Sequence, residues 1–272
     1  MCAPDVKKRR QQSILCYCRR VSDFEKSPFY PYLGDTYSQN GEDGVLAELF
    51  NRIKDHSSIS ESPLCVEFGA WDGMYLSNTF NFVATKGWNA IYIEGDPKKF
   101  SKLLNTVSEY PTIKPILKIV SPSGNSENSI DAILTAAGCP RTFELLAIDI
   151  DSYDLDVWDS MNLFSAAIVV IEINSGIPPG VVTRHSKRFP GSSFSATLNI
   201  AKKKGYTLVC HTGNLIFVKN ELCSRCRIPQ RFIDFPELLF RTDWLLLPSN
   251  RGSICLRFGQ KIRRFLYRFS VK

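Results

Sequence analysis

Residues 66–73, with the sequence VEFGAWDG, place an acid and two glycines in the spacing E-x-G-x-x-x-G. The segment follows a predicted strand, so Gly69 permits a tight turn and Gly73 a close backbone approach at the strand tip. We expect this loop to hold an adenosyl cofactor, with Glu67 meeting the ammonium group of its amino-acid part. The alternative is an ordinary glycine-rich turn of an α/β protein. Further candidates for cofactor contact are Ala70, Asp72 and Asn78.

A second acid, Glu94, ends the next predicted strand, 27 residues beyond Glu67. In Rossmann-like folds, an acid at this strand end accepts hydrogen bonds from ribose hydroxyls. The same acid would suit NAD, but an NAD site expects G-x-G-x-x-G, a glycine spacing that this loop lacks. The pattern therefore favours S-adenosylmethionine as the cofactor over the NAD of an oxidoreductase.

Four polar residues, Asp149, Asp151, Glu172 and Asn174, follow two later predicted strands. Alternation puts each pair on one side of its strand, so neighbouring strand ends would bring them together as candidate catalytic residues, and Asp149 also as a cofactor contact. Asp151, Glu172 and Asn174 offer oxygen ligands for Mg²⁺, which would lower the pKa of a substrate hydroxyl. Two alternatives stay open: a metal-free site with one carboxylate as general base, and acids that only hydrogen-bond loops.

The opening YSQNGEDG at Tyr37–Gly44 and the loop at Val66–Gly73 together resemble the FkbM-like methyltransferases and a related bacterial family. The resemblance continues through residues 76–79, 148–151, 170–174 and 204–206 and covers roughly residues 37–220. It implies a class I methyltransferase in which the loop touches S-adenosylmethionine, Glu94 binds its ribose, and a hydroxyl of a sugar or secondary metabolite is methylated. In one departure, Ser152 stands where the family pattern has glycine.

Two further motifs have a functional and an ordinary interpretation. His185, in the basic run at residues 184–188, is a candidate general base or part of a solvated loop. Cys223 and Cys226 form a C-x-x-C that Cys210 and His211 would extend to four zinc ligands, although reduced thiols are the default for a single such motif.

Strand-like and helix-like segments alternate along the chain, which predicts a mostly parallel sheet covered on both faces. Strands are predicted at Leu64–Phe68, Ala90–Glu94, Ile113–Ile119, Leu145–Ile150, Ala167–Ile173, Thr207–His211 and Leu215–Val218. Helices are predicted near Ser77–Lys86, Pro97–Glu109, Ile130–Ala137, Leu155–Met161 and Phe194–Lys204. A turn at Thr212–Asn214 leaves no room for a helix, so the last two strands should pair antiparallel. The predicted fold class is α/β, a Rossmann-like seven-stranded methyltransferase sheet with a C-terminal antiparallel hairpin.

The formal charge of +7 is concentrated outside the central part of the chain. Residues 1–20 carry six basic residues and one acid, and residues 251–272 carry seven basic residues and no acid. Residues 21–250 carry 21 basic residues against 26 acids, which argues against nucleic acid as the partner of the folded part. We predict a basic arm and entry segment at 1–36, a methyltransferase domain at 37–250 and a basic amphipathic tail at 251–272.

The location of the protein is predicted from its cysteines and its apolar runs. Nine cysteines, an odd number, and no secretory signal indicate reduced thiols in the cytoplasm. The chain has no apolar run of membrane-spanning length. In residues 254–272, apolar residues recur at helical spacing with basic residues between them, which predicts either peripheral membrane contact or packing on the domain.

These observations predict an S-adenosylmethionine-dependent O-methyltransferase that acts on a hydroxyl of a small molecule or glycan. Methyl transfer from a sulfonium needs chiefly proximity and alignment, so the lack of an obvious nucleophile is no objection. The rival from another class is a catalytically silent methyltransferase fold that serves as a binding or membrane-associated scaffold.

Overall fold

A single seven-stranded sheet organises the protein. The computed structural model describes residues 27–246 apart from residues 58 and 188, so the predicted basic segments at 1–20 and 251–272 lie outside the described residues. The strands are β1 (Leu64–Phe68), β2 (Asn89–Glu94), β3 (Ile113–Leu117), β4 (Thr142–Ile148), β5 (Ser165–Glu172), β6 (Tyr206–His211) and β7 (Asn214–Lys219). Their order is β3-β2-β1-β4-β5-β7-β6, with β7 antiparallel to both neighbours. The predicted fold class is confirmed.

Helices cover both faces of the sheet. They are α1 (Glu42–Ile53), α2 (Phe80–Lys86), α3 (Pro97–Glu109), α4 (Ile130–Ala136), α5 (Asp154–Ser160), α6 (Phe194–Lys203), α7 (Cys223–Cys226) and α8 (Gln230–Asp234). Three of them begin at side-chain caps of the kind that sequence reasoning expects: Asp96 accepts from the backbone N–H of Lys98, and Ser129 and Ser193 cap α4 and α6 in the same way.

The core consists of two apolar layers, one on each face of the sheet. Leu46 and Phe50 of α1, Phe82 of α2 and Leu103 of α3 are buried on one face. The helices α4, α5 and α6 bury their apolar residues on the other face, where Trp158 is among the largest fully buried side chains. Both faces of the parallel strands are therefore shielded, and functional groups are left to the strand ends.

Several element boundaries differ from the predicted ones for local reasons. The helix predicted from Ser77 begins at Phe80, because the hydroxyls of Ser77 and Thr79 bind the carboxylate of Glu67 in a loop instead. Asn214, predicted as a turn residue, is the first residue of β7 because it pairs with Glu172. Strands β4 and β5 begin two or three residues earlier than predicted, at Thr142 and Ser165. Within the described residues, no helix combines the length and the apolar character needed to cross a bilayer.

The strand order reverses between β1 and β4, where a sheet of this kind is expected to leave a crevice. The chain runs outward from β1 through β2 to β3, then returns to the other side of β1 with β4. In such sheets, the loops after the two central strands part at their carboxyl ends, and ligands bind in the gap. The fold therefore places a candidate site where the loops after Phe68 and Ile148 meet.

Candidate active site

Five residues form a row across the carboxyl ends of adjacent strands. Glu172 pairs with Asn214, Glu94 ends β2, and Gly69 and Asp149 stand one residue beyond the last paired positions of β1 and β4. Residues at the same level of a sheet project to the same face. Three carboxylates and one amide therefore share the face that α1, α2 and α3 cover, and no side chain from Gly69 separates Glu94 from Asp149.

Gly69 joins the two halves of this row. Its φ is +84°, and a Cβ atom there would overlap the backbone carbonyl oxygen of Asp149. Only glycine lets the β1 loop approach the end of β4 so closely. Gly73 has a different reason: a Cβ there would lie 2.6 Å from Cδ1 of Leu103, so the glycine lets α3 pack against the loop. Both glycines shape the crevice through protein packing, and their contact with a cofactor stays a prediction.

Glu94 is buried and anchors the loops on either side of it. Its Oε2 accepts from the backbone N–H of Trp71 at 2.8 Å, and its Oε1 accepts from that of Asp96 at 2.7 Å. Each oxygen keeps a lone pair for a further donor. Next to Glu94 lies a surface depression lined by residues 95–98 and by Ile119, a residue that is 74% exposed. This arrangement can accept hydroxyl donors beside an open apolar surface.

Glu67 is buried below the row and holds the next loop. It accepts from the hydroxyls of Ser77 at 2.5 Å and Thr79 at 2.6 Å and from the backbone N–H of Asn78 at 3.2 Å. Burial raises the pKa of its carboxyl group. In the cofactor loop, Asp72 accepts from the backbone N–H groups of residues 74 and 75 and so fixes the turn. The polar groups predicted to meet a cofactor thus also give the crevice its shape.

Asp149, Asp151 and Glu172 form a carboxylate cluster at the mouth of the crevice. Oxygens from all three residues lie within 4.8 Å of one another. Burial and the neighbouring carboxylates raise the pKa of Asp149 to about 8, and the pKa of Glu172 is raised well above its usual range for the same reasons. A proton on either group would let Asp149 and Glu172 hydrogen-bond to each other, so the two carboxyl groups titrate as a pair. Such a pair can take up or release a proton near neutral pH.

The loop after β4 contains a residue that sequence reasoning missed. Asp154 accepts from the backbone N–H groups of Ile150 and Ser152, and burial raises its pKa to about 6. Its only sequence signal was its place at the start of a helix. Asp151 adopts φ of +60°, so the left-handed residue is Asp151 itself and a glycine is not required at Ser152. Trp71 and Leu76 share this uncommon conformation after β1.

Asn174 lies two residues beyond Glu172 and forms hydrogen bonds within its own loop. Its amide Nδ2 donates to the carbonyl oxygen of Pro190 at 2.7 Å, and its Oδ1 accepts from the backbone N–H of Gly176 at 3.1 Å. Asp149 lies with Asp151 and Glu172 in the carboxylate cluster, and the predicted metal set of Asp151, Glu172 and Asn174 stays a prediction. These two hydrogen bonds of Asn174 close the loop between β5 and α6.

The opening motif reaches the same row from the other side. Glu42 is fully buried and accepts from the hydroxyl of Thr212 at 2.6 Å and from Nδ2 of Asn214 at 3.1 Å. Asp43 accepts from three consecutive backbone N–H groups, those of residues 36–38. The sequence singled out this motif only by resemblance, because the partners of Glu42 are about 170 residues away along the chain.

The two histidines singled out from the sequence are both engaged. Nδ1 of His185 accepts from the backbone N–H of Gly191, and its ring lies 4.5 Å from that of Tyr153. Nδ1 of buried His211 accepts from the backbone N–H of Arg241, so Nε2 carries the proton toward Ser175 at 2.8 Å. Because both ring nitrogens of His211 are occupied, it does not complete a zinc site. The described cysteines are free thiols.

His211 should make the protein sensitive to acid. Burial lowers its pKa to about 3. An unfolded histidine takes up a proton near pH 6.5, so stability falls as pH drops below that value, by up to about 1.4 kcal/mol per pH unit. We expect His211→Phe to lower stability at pH 7 but to lose less on going to pH 5 than the wild type does. Urea unfolding at both pH values measures this, and His185→Phe is the control. An unchanged loss in His211→Phe would contradict the assignment.

The chain is similar to solved structures but matches no family model. No family model and no curated protein matches the chain, so the FkbM-like resemblance rests on the motifs alone. Similar solved structures include the citrinin polyketide synthase CMeT domain (12% identity, TM-score 0.43, 68% of this chain and 54% of that one). The N-terminal domain of EvdMO1 in the presence of SAH and D-fucose is similar at 10% identity and a TM-score of 0.40. This match covers 77% of this chain and 96% of that one. An O-methyltransferase family protein from Burkholderia thailandensis is similar at 7% identity and a TM-score of 0.40. This match covers 65% of this chain and 57% of that one. The chain spans about half the length of the first.

Proposed function

We propose that the protein is an S-adenosylmethionine-dependent methyltransferase that methylates a hydroxyl of a small molecule or glycan. The observation that carries the proposal is the row from Glu94 through Gly69 to Asp149 and Glu172 at the switch point of the sheet. It crosses three inter-strand spacings, about 14 Å, which gives room for an adenosyl group and an amino-acid chain laid end to end.

The residues at the β2 end fit the nucleoside part of this cofactor. Glu94 has one free lone pair on each oxygen for the two ribose hydroxyls, while its bonds to Trp71 and Asp96 hold it in place. The depression at residues 95–98, with the exposed side chain of Ile119, fits a flat apolar base. The row has carboxylates along its length and an open apolar surface at its β2 end. It therefore suits a ligand with a cationic group at one end and an aromatic group at the other.

The carboxylate cluster would act on the acceptor. S-adenosylmethionine supplies a methyl group on a sulfonium, which is transferred by one in-line displacement. The ionised member of the Asp149 and Glu172 pair accepts the proton of the acceptor hydroxyl as the O–CH₃ bond forms and the S–CH₃ bond breaks. With the pKa of Asp149 near 8, this pair is a stronger base than an ordinary carboxylate. Asp151 is exposed and would be accessible to the acceptor.

The same cluster offers the oxygen donors that Mg²⁺ takes in proteins. Asp149, Asp151 and Glu172 would hold the ion, which would supply Lewis-acid activation of the hydroxyl. Turnover that EDTA abolishes and Mg²⁺ restores would support the metal-assisted version. Turnover that EDTA leaves unchanged would support the general-base version.

Cofactor choice is the first test of the proposal. Calorimetric titration of the full chain should show micromolar binding of S-adenosylhomocysteine, about −8 kcal/mol, and no comparable binding of NAD. Formation of S-adenosylhomocysteine from S-adenosylmethionine is then followed over a panel of sugar and phenolic hydroxyl acceptors. Tight NAD binding would contradict the proposal in favour of an oxidoreductase. Cofactor binding without turnover on any acceptor would favour a silent binding protein.

A further inference from the structure

Two rings from different parts of the chain lie together beyond the ends of β4 and β5. Tyr153 belongs to the segment after β4, and His185 belongs to the loop between β5 and α6. Their ring centroids are 4.5 Å apart, with an angle of 53° between the ring planes. Tyr153 is 42% exposed, and His185 is partly exposed. Because the two residues are distant along the chain, this ring pair exists only in the folded protein.

The ring pair lies beside the carboxylate cluster. Nδ1 of His185 accepts from the backbone N–H of Gly191 at 3.1 Å. A Cβ on Gly191 would lie 3.1 Å from Cβ of Asn174, which is two residues beyond the end of β5. On the other strand, Tyr153 is two residues beyond Asp151 of the cluster. Each ring is therefore tied to one of the two strand ends that carry the candidate catalytic acids.

The loop that carries His185 is attached to α5. Arg184 donates from Nη1 to Asp156 at 2.7 Å and from Nη2 to Asp159 at 2.6 Å, and both acids belong to this helix. Tyr153 is the residue that precedes the first turn of the same helix. Both rings are therefore positioned by α5. A ring pair that is already in place loses little conformational entropy when a flat molecule stacks on it.

Each ring keeps one polar atom available to a ligand. Because Nδ1 of His185 accepts a hydrogen bond, the proton of the neutral ring lies on Nε2. Among the described residues, neither this Nε2–H nor the hydroxyl of Tyr153 has a hydrogen-bond partner. The pair can therefore stack against a ring and donate to an oxygen atom on it.

The surface around the ring pair is poor in free hydroxyl groups. Hydroxyl side chains of the loop and of the first turn of α6 are engaged with nearby backbone groups, at Thr183, Ser186, Ser192, Ser193 and Ser195. The exposed residues include Val181 and Val182, at 42% and 64%. A sugar carries several hydroxyl groups that lose water on binding and each need a partner, whereas a phenol combines an apolar ring with a single hydroxyl. This surface suits the phenol better.

We propose that Tyr153 and His185 bind the aromatic ring of a phenolic acceptor and so favour phenols over sugars as substrates. That the bound molecule is the methyl acceptor rests on the proposed function. The stacking stands on the ring pair, its fixed position and the apolar residues around it. Contacts between aromatic rings are more favourable than their buried area alone accounts for, and a saturated ring of the same size lacks this gain.

Binding of phenol and cyclohexanol to the full chain tests the stacking without cofactor or turnover. The two probes share ring size and a single hydroxyl and differ in aromaticity. By ligand-observed NMR, phenol should bind about 5-fold more tightly than cyclohexanol. Tyr153→Leu should remove this preference, whereas Tyr153→Phe, which keeps the ring, should retain it. The matched control is Tyr32→Leu, because Tyr32 is 41% exposed on the short 3-10 helix Tyr30–Tyr32 and should not affect the preference.

A second variant tests the other ring. His185→Leu removes the imidazole and should weaken the preference for phenol as well. Equal affinity of the wild type for phenol and cyclohexanol would overturn the stacking. A preference that survives both Tyr153→Leu and His185→Leu would place phenol elsewhere on the protein and would overturn it too.

Methyl transfer from S-adenosylmethionine measures the consequence for the substrate class. We expect kcat/KM for phenol to exceed that for methyl glucoside by about 10-fold or more. Tyr153→Leu should raise KM for phenol about 5-fold and change kcat by less than about 2-fold, because the ring contributes binding and not the transfer step. Transfer to methyl glucoside but not to phenol would overturn the inference and leave the proposed function standing. If the wild type binds no S-adenosylhomocysteine, the proposed function fails, while the two probes still decide the role of the ring pair.

Discussion

Replacing Asp149 with asparagine should stabilise the protein at alkaline pH and, under the proposed function, strongly reduce methyl transfer. In the fold, burial and neighbouring carboxylates raise the pKa of Asp149 to about 8, whereas in the unfolded chain the group ionises near pH 4. The folded state binds this proton more tightly than the unfolded chain does, so its contribution to stability is complete below about pH 4 and is lost progressively as pH rises to about 8. Asparagine keeps the shape of the side chain and removes the titration. We expect Asp149→Asn to be more stable than the wild type by about 1 to 3 kcal/mol at pH 8.

The stability difference between Asp149→Asn and the wild type should depend on pH in a specific way. Chemical unfolding of both proteins at pH 5 and pH 8 should give a difference that is small at pH 5 and grows toward pH 8. Under the proposed function, formation of S-adenosylhomocysteine should fall by about 100-fold or more, because a general base contributes that much. Asp131→Asn is the control, since Asp131 caps backbone N–H groups away from the mouth. A variant less stable than the wild type at pH 8, or one with full turnover, would contradict the role of Asp149.

Replacing Gly69 with alanine should have the largest effect on stability. The new Cβ would overlap the carbonyl oxygen of Asp149, and φ of +84° disfavours any side chain. Backbone strain and forced displacement at the switch point together should cost about 3 kcal/mol or more. Because the displacement moves the β4 end, binding of S-adenosylhomocysteine should weaken as well.

Gly87→Ala separates strain from overlap. Gly87 also has a positive φ, +65°, but a Cβ there would meet nothing within 4 Å. The stability of this control should fall by only about 1 to 2 kcal/mol, which is the cost of placing alanine in the left-handed region. Thermal unfolding and calorimetry of both variants give the comparison. Similar losses in Gly69→Ala and Gly87→Ala would show that the approach of β1 to β4 does not depend on glycine.

The sheet and the acids at its strand ends were predictable because local patterns determine them. Buried parallel strands appear as short apolar runs, and the acid that ends such a run, such as Glu94, necessarily lies at the carboxyl edge. The turn before Asn214 left no room for a helix, which predicted the antiparallel pair. Asp149 and Glu172 could be predicted as neighbours because their strands are adjacent in this topology.

The rest of the site depends on contacts between distant parts of the chain. Glu42 meets Asn214 across about 170 residues, and no local pattern indicates such a pair. The hydrogen bonds of Asn174 to Pro190 and Gly176 lie in an irregular segment, where no local pattern predicts them. The helix predicted from Ser77 starts late because buried Glu67 competes for the hydroxyls of that segment.

The most direct test of the cofactor site compares two glutamates that accept similar backbone hydrogen bonds at opposite ends of the strands. Glu94 accepts hydrogen bonds from two backbone N–H groups at the carboxyl ends of the strands. Glu144 accepts hydrogen bonds from the backbone N–H groups of Ser60 and Leu64 at the amino ends. Calorimetric titration with S-adenosylhomocysteine should show binding weakened about 10-fold or more, about 1.4 kcal/mol, by Glu94→Gln and unchanged by Glu144→Gln. Equal affinity in Glu94→Gln and the wild type, or no binding by the folded wild type, would contradict the site.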